Sequence, residues 1–181
     1  MRAVEAPPSA FLFDRHSDFE QIIPTQPNTK TKPQTTEDES TIKITFSWRP
    51  FPQNATDKFV YWKDNKKPAF IVVATTLWPM LHEQNVDGYQ ANIAAMAAAA
   101  TDMIPTQLPE TPRPMMVMST GTEIHAEKLQ STAKRVAMTP VAVDTYNRAI
   151  QDAKVFLPNG PFGILDLFSM TYGMFFLVLL C

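Results

Sequence analysis

Hydrophobic and polar positions change period several times along this chain, and each change marks an element. In "TIKITFSWRP", Ile42, Ile44, Phe46 and Trp48 alternate with Lys43, Thr45 and Ser47. A period of two predicts a half-buried strand, here closed by Pro50 and Pro52. "PAFIVVATTLW" instead carries a continuous apolar run over residues 69–74. Such a run predicts a strand buried on both faces, as at the centre of a parallel sheet. From residue 88 the period lengthens, and Ile93, Met96, Ala97, Ala100 and Met103 fall on one helical face. Asp87 and Gln90 predict a capping box at its start, and the alanine-rich body favours helix. Pro105, Pro109, Pro112 and Pro114 then interrupt the chain. "MMVMST" predicts another short buried strand. Thr139 and Pro140 predict an N-cap and first helical position. The helix they start has Ala142, Tyr146, Ala149, Ile150 and Ala153 as its buried stripe. "GPFGILDLFSM" predicts a last strand with Ile164, Leu165 and Leu167 as its apolar core.

The remaining stretches lack such patterns. Residues 1–20 scatter Phe11, Phe13 and Phe19 without a period, and residues 21–41 are polar and proline-rich, the composition of a mobile linker. The reading is a poorly ordered segment over 1–41, an α/β domain over 42–173 and an apolar tail over 174–181. Strands alternating with helices predict an α/β sandwich with a mostly parallel sheet. Ligands of such sheets bind beyond the C-terminal ends of the strands. Those ends fall at residues 48–52, 75–82, 119–125 and 166–172.

Composition narrows the function. A length of 181 residues suits one domain with a real core. The net charge of −2 gives no reason to expect nucleic acid or an acidic membrane. The single cysteine, Cys181, allows no intrachain disulfide and no cysteine-based metal site. There are 16 prolines and only 5 glycines, the first being Gly88. A P-loop, GxGxxG and the GxSxG elbow are all absent. The N-terminus lacks the apolar run of a signal peptide. The tail "MFFLVLLC" is far shorter than the roughly 20 residues of a membrane span. Neither a secretory signal nor a span is expected in the chain as written.

Candidate chemistry gathers at the predicted strand ends. In "ATTLWPMLHEQN", Thr75, Thr76, Trp78 and His82 combine hydroxyl donors with an aromatic stacking face, which suits an oxyanion or a sugar; alternatively Trp78 and Leu81 plug the end of the sheet. His125 has Glu123 and Glu127 nearby but no second histidine in reach, so no metal site is expected. His82–Glu83 is not HExxH, because Val86 stands at the last position. Asp14 and His16 read as a surface pair. Ser119, before Thr120 and Gly121, is the best placed serine, without a motif that marks a nucleophile. Asn54–Thr56 is an N-glycosylation sequon.

The order "KITFSWRPFPQNATDKF", Trp62, "KKPAFIVVATTLWPMLHEQN", "YQANIAAM", "VDTYNRAIQDA", "ILDLFSMT" resembles the luminal catalytic domain of sialate O-acetyltransferases and capsule polysaccharide O-acetyltransferases, of the SGNH-hydrolase-like, PC-esterase branch. The resemblance covers about residues 41–172. It implies a flavodoxin-like three-layer α/β/α sandwich, present here in part. It also implies a Golgi-lumen domain on a multispanning membrane protein, with a glycan as acceptor. No bound cofactor is implied; acetyl-CoA is the family's acyl donor, used through an acetyl-serine intermediate. The chain departs from the family in chemistry. Gly-Asp-Ser, the family's nucleophile motif, is absent, and no aspartate has a histidine three residues later. No catalytic residue is therefore assigned. The resemblance implies the middle of a catalytic domain, with the membrane portion in a longer form and "MFFLVLLC" foreign to the fold. Two other functions fit the residues: a non-catalytic carbohydrate-binding or protein-interaction module, and an unrelated flavodoxin-like domain.

Overall fold

Alternating Ile and Phe residues need an apolar neighbour, and the chain supplies one close by. The computed structural model describes residues 18–24, 41–104 and 113–172. It divides into two compact units between Trp48 and Arg49. In the first, β1 (Phe19–Pro24) pairs antiparallel with β2 (Thr41–Phe46), setting Phe19 opposite Phe46 and Ile23 opposite Ile42. The Phe19 and Phe46 rings stack at 5.2 Å, and Trp48 lies 6.3 Å beyond Phe46. On the other face Glu20 pairs with Lys43 at 2.7 Å. The strand expected over residues 42–48 forms, but β2 joins β1 rather than the parallel sheet and is not half-buried: Ile42, Ile44 and Phe46 are 53%, 45% and 40% exposed. Period reports which side of a strand is apolar and says nothing of its neighbour. Residues 21–24 of the expected linker belong to β1. Residues 25–40, the Asp14–His16 pair and the tail over 174–181 lie outside the described residues.

The second unit begins with α1 (Pro52–Lys63), which the sequence reading missed. Proline at its first position fits a helix start, and Pro52, Ala55 and Phe59 form its buried stripe. Then follow β3 (Phe70–Val73), α2 (Leu77–His82), α3 (Val86–Met103) and β4 (Met115–Ser119). A 3₁₀ turn at Ala126–Lys128, α4 (Thr132–Ala137), α5 (Pro140–Asp152), β5 (Gly163–Leu165) and α6 (Leu167–Tyr172) complete it. The sheet is parallel in the order β3-β4-β5, with Ile71 beside Met116 and Val117 beside Gly163. The unit is α/β, consistent with part of an α/β/α sandwich.

Both crossovers step the same way across the sheet, so right-handed connections place α3 and α5 on one face. That face carries the core. Ile71, Val73, Met116 and Met118 point into it and meet Ile93, Met96, Ala100, Val143 and Ile150, all buried. The opposite face is open: Phe70 is 54%, Val72 53% and Met115 65% exposed. Burial of β3 on both faces, as its apolar run suggested, is therefore not found.

Three helix starts correct or support the sequence reading. The cap of α3 is Asn85, whose side chain accepts from Gly88 N at 3.0 Å, and not Asp87. Thr139 caps α5 as expected, accepting from Ala142 N at 3.1 Å. The last strand stops at Leu165, so Leu167 belongs to α6. Asp166 makes that break by accepting from Ser169 N at 3.1 Å.

Candidate functional site

The C-terminal ends of β3, β4 and β5 bring small polar groups together. After β3 the chain must turn, and Thr75 and Thr76 sit in the turn at 3% and 4% exposure. Buried hydroxyls need partners. Thr76 Oγ1 lies 3.4 Å from the Tyr89 hydroxyl. Thr75 Oγ1 has no partner of regular hydrogen-bond geometry, although it lies near enough to the Tyr89 phenol to favour its ionised form slightly. Tyr89 packs its ring 4.9 Å from that of Tyr146, whose hydroxyl donates to Pro79 O at 3.4 Å. Burial pushes the Tyr89 phenol up to about 12, against the smaller opposing pull of the Thr76 and Thr75 hydroxyls. Burial also raises the Tyr146 phenol, with help from the Glu83 charge.

A raised phenol favours the folded state until the unfolded chain ionises. The Tyr89 contribution is thus complete below pH 10.0 and is lost as pH rises toward about 12. It amounts to about 3 kcal/mol. Alkaline unfolding of the wild type and Tyr89→Phe should therefore diverge above pH 10, with the variant losing less stability. Parallel curves would exclude a buried neutral Tyr89.

After β4 come Ser119, Thr120 and Gly121. Gly121 is held by α5: its N–H donates to Asn147 Oδ1 at 2.7 Å, and its carbonyl accepts from Asn147 Nδ2 at 3.4 Å. A Cβ on Gly121 would stand 3.0 Å from Thr76 Cγ2 and 3.3 Å from Val143 Cγ1. The β3 and β4 ends thus approach closely because residue 121 has no side chain. Thr120 Oγ1 donates to Asp166 Oδ1 at 3.2 Å and accepts from Phe168 N at 3.0 Å. Ser169 Oγ donates to Asp166 Oδ2 at 2.6 Å. These donors, Ser169 first, hold the Asp166 carboxyl below its ordinary range. Thr171 Oγ1 accepts from Glu123 N at 2.9 Å, a second tie between α6 and the β4 end.

Trp78 and His82 sit one turn apart on α2 with rings stacked at 4.3 Å and 15°. Trp78 is half-buried and His82 exposed, while Thr75 and Thr76 turn inward. The four expected residues share one loop but form two pairs, a buried hydroxyl pair and a surface ring pair. A shallow open depression elsewhere on the unit is lined by Asp87, Gln90, Ala91, Ala94, Asp152 and Ala153, and by none of these four.

The chain is similar to a plant protein. Altered Xyloglucan 9 of Arabidopsis thaliana is 24% identical to it over 174 residues. The match covers 90% of this chain and 43% of that protein, so the chain spans less than half its relative's length. No family model matches the chain, and no solved structure does.

The other sequence candidates are dispersed. Ser119 is buried at the end of β4, and among the described residues neither it nor Ser169 bonds to a histidine. His125 Nδ1 lies 3.4 Å from Glu127 Oε1 in the 3₁₀ turn. Among the described residues no three His, Cys, Asp or Glu side chains gather as a metal site would need. No helix there is long and apolar enough to cross a membrane. Asn54 is exposed in the first turn of α1, where Thr56 Oγ1 donates to Pro52 O at 2.9 Å. Sequence reasoning missed Asn147 and Asp166. Gly121 lies 26 residues from Asn147 and Thr120 lies 46 from Asp166; Ser169 is a local partner of Asp166, but no motif announces either tie across the fold.

Proposed function

We propose that this chain is a PC-esterase-like domain directed at a polysaccharide, of the O-acetyltransferase or esterase kind, that does not carry out acyl transfer with its own 181 residues. One observation carries the reading: three parallel strand ends, tied by Asn147, Thr120 and Asp166, gather hydroxyls where α/β sheets bind ligands. The likeness to a protein named for xyloglucan supports a glycan as ligand. The family route needs a serine activated by a base, and the sequence offers neither Gly-Asp-Ser nor Asp-x-x-His. In a longer form the acyl donor would be acetyl-CoA and the compartment the Golgi lumen. Asn54 would then be an acceptor before α1 folds, since α1 ties up the Thr56 hydroxyl.

A second reading, a carbohydrate-binding module without any acyl chemistry, is favoured by the Trp78–His82 stack. One pair of assays tests what the two readings share, glycan binding without turnover. Purified chain is incubated with an aryl acetate or with acetyl-CoA and xyloglucan, and its retention on a glycan panel is measured. The proposal expects no turnover above background and glycan retention that falls with Trp78→Ala. Turnover abolished by Ser119→Ala would overturn the non-catalytic part. Absence of retention on every glycan would overturn the polysaccharide part.

A further inference from the structure

We infer that the second half of α1 and the turn after it form a separate docking surface for a carboxylated polysaccharide, an inference that rests on the polysaccharide reading above. The stretch "DKFVYWKDNKK" holds Lys58, Lys63, Lys66 and Lys67 against Asp57 and Asp64. Because α1 buries Ala55 and Phe59, the helical period turns Val60 and Tyr61 outward, each 56% exposed. Lys58 Nζ lies 5.3 Å from the Tyr61 ring centre and 5.7 Å from that of Trp62. Lys67 Nζ donates to Lys63 O at 3.1 Å, folding the turn back onto the end of α1. Among the described residues none of the four ammonium groups pairs with a carboxylate.

Cations at a helix C-terminus complement its dipole. That accounts for Lys63 and Lys67. It does not account for Lys58, a turn earlier, whose ammonium lies over two rings and meets no carboxylate among the described residues, or for a tyrosine ring left open to solvent beside it. Together these supply what an acidic sugar chain needs. An aromatic face receives the C–H side of a pyranose ring, and flanking ammonium groups meet its carboxylates. A polyphosphate fits less well. Asp57 and Asp64 interrupt the lysines, and nucleic-acid affinity depends on many neutralised phosphates.

The test is affinity electrophoresis of the full chain in gels containing polygalacturonate, its methyl-esterified form, or xyloglucan. Retardation by polygalacturonate is expected to be salt-sensitive and absent with the esterified polymer. Lys63→Gln/Lys66→Gln/Lys67→Gln should weaken it roughly tenfold, and Tyr61→Ala should weaken it further, with unchanged circular dichroism. Trp78→Ala should leave it intact. Equal retardation by the esterified polymer, or full retention by the triple variant, overturns the inference. So does tighter, lysine-dependent binding of a single-stranded oligonucleotide. Loss of polygalacturonate binding with Trp78→Ala alone would overturn this surface while leaving the strand-end reading standing.

Discussion

Phe59→Ala lowers the stability of the second unit by about 3–5 kcal/mol. The ring is 1% exposed and is the largest fully buried side chain of α1. It meets Trp62 edge-on at 5.9 Å and Phe162, before β5, at 6.0 Å. Removal leaves a cavity between a helix and a strand end far apart in sequence, which neighbours relax into only partly. Phe70→Ala, on the open face of the sheet, should cost less than about 1 kcal/mol. Urea titrations of both variants check this. Similar costs for the two would mean that the open face is covered in solution.

Asn147→Ala should cost about 2–4 kcal/mol, through unpaired polar groups rather than lost volume. Asn147 is 6% exposed and satisfies both backbone groups of Gly121. Without the amide, a buried N–H and C=O lose their partners together. Asn147→Asp keeps the acceptor but sets a carboxylate against the Gly121 carbonyl, so it should not rescue. Hydrogen exchange at Gly121 should quicken in Asn147→Ala, where its N–H loses the acceptor. A cost below about 0.5 kcal/mol, with exchange unchanged, would mean that water replaces the amide freely.

The elements that could be read from the sequence are those whose burial follows one clean period. α3 was legible because Ile93, Met96, Ala97, Ala100 and Met103 lie on one stripe of a strongly helical segment, and all five are buried. α5 was legible from Thr139 and Pro140, although Val143 and Asn147 lie on its buried face and Ala142 and Ala153 only at its border. α1 was hidden because Val60 and Tyr61 blur the stripe formed by Pro52, Ala55 and Phe59. α2 was hidden by Pro79, which a first turn tolerates since its N–H has no intrahelical partner. β3 misled in another way. An apolar run shows that burial on both faces is possible, and the neighbouring layers decide whether it happens. At the site, Thr75 and Thr76 were findable from strand-end logic alone. Asn147 and the tie of Asp166 to Thr120 were not, because they act across the fold.

The core leans on thioethers. Met80, Met96, Met103, Met116 and Met118 are each at most 4% exposed, whereas Met115 and Met170 stand 65% and 61% open. Among the described residues dilute peroxide therefore meets two extremes of sulfur, with half-buried Met138 between them. Met115 and Met170 should convert to sulfoxide at the rate of a free side chain, and the inner five only as the chain opens. Peptide mass spectrometry over time would read that opening rate directly, with the outer pair as its internal clock.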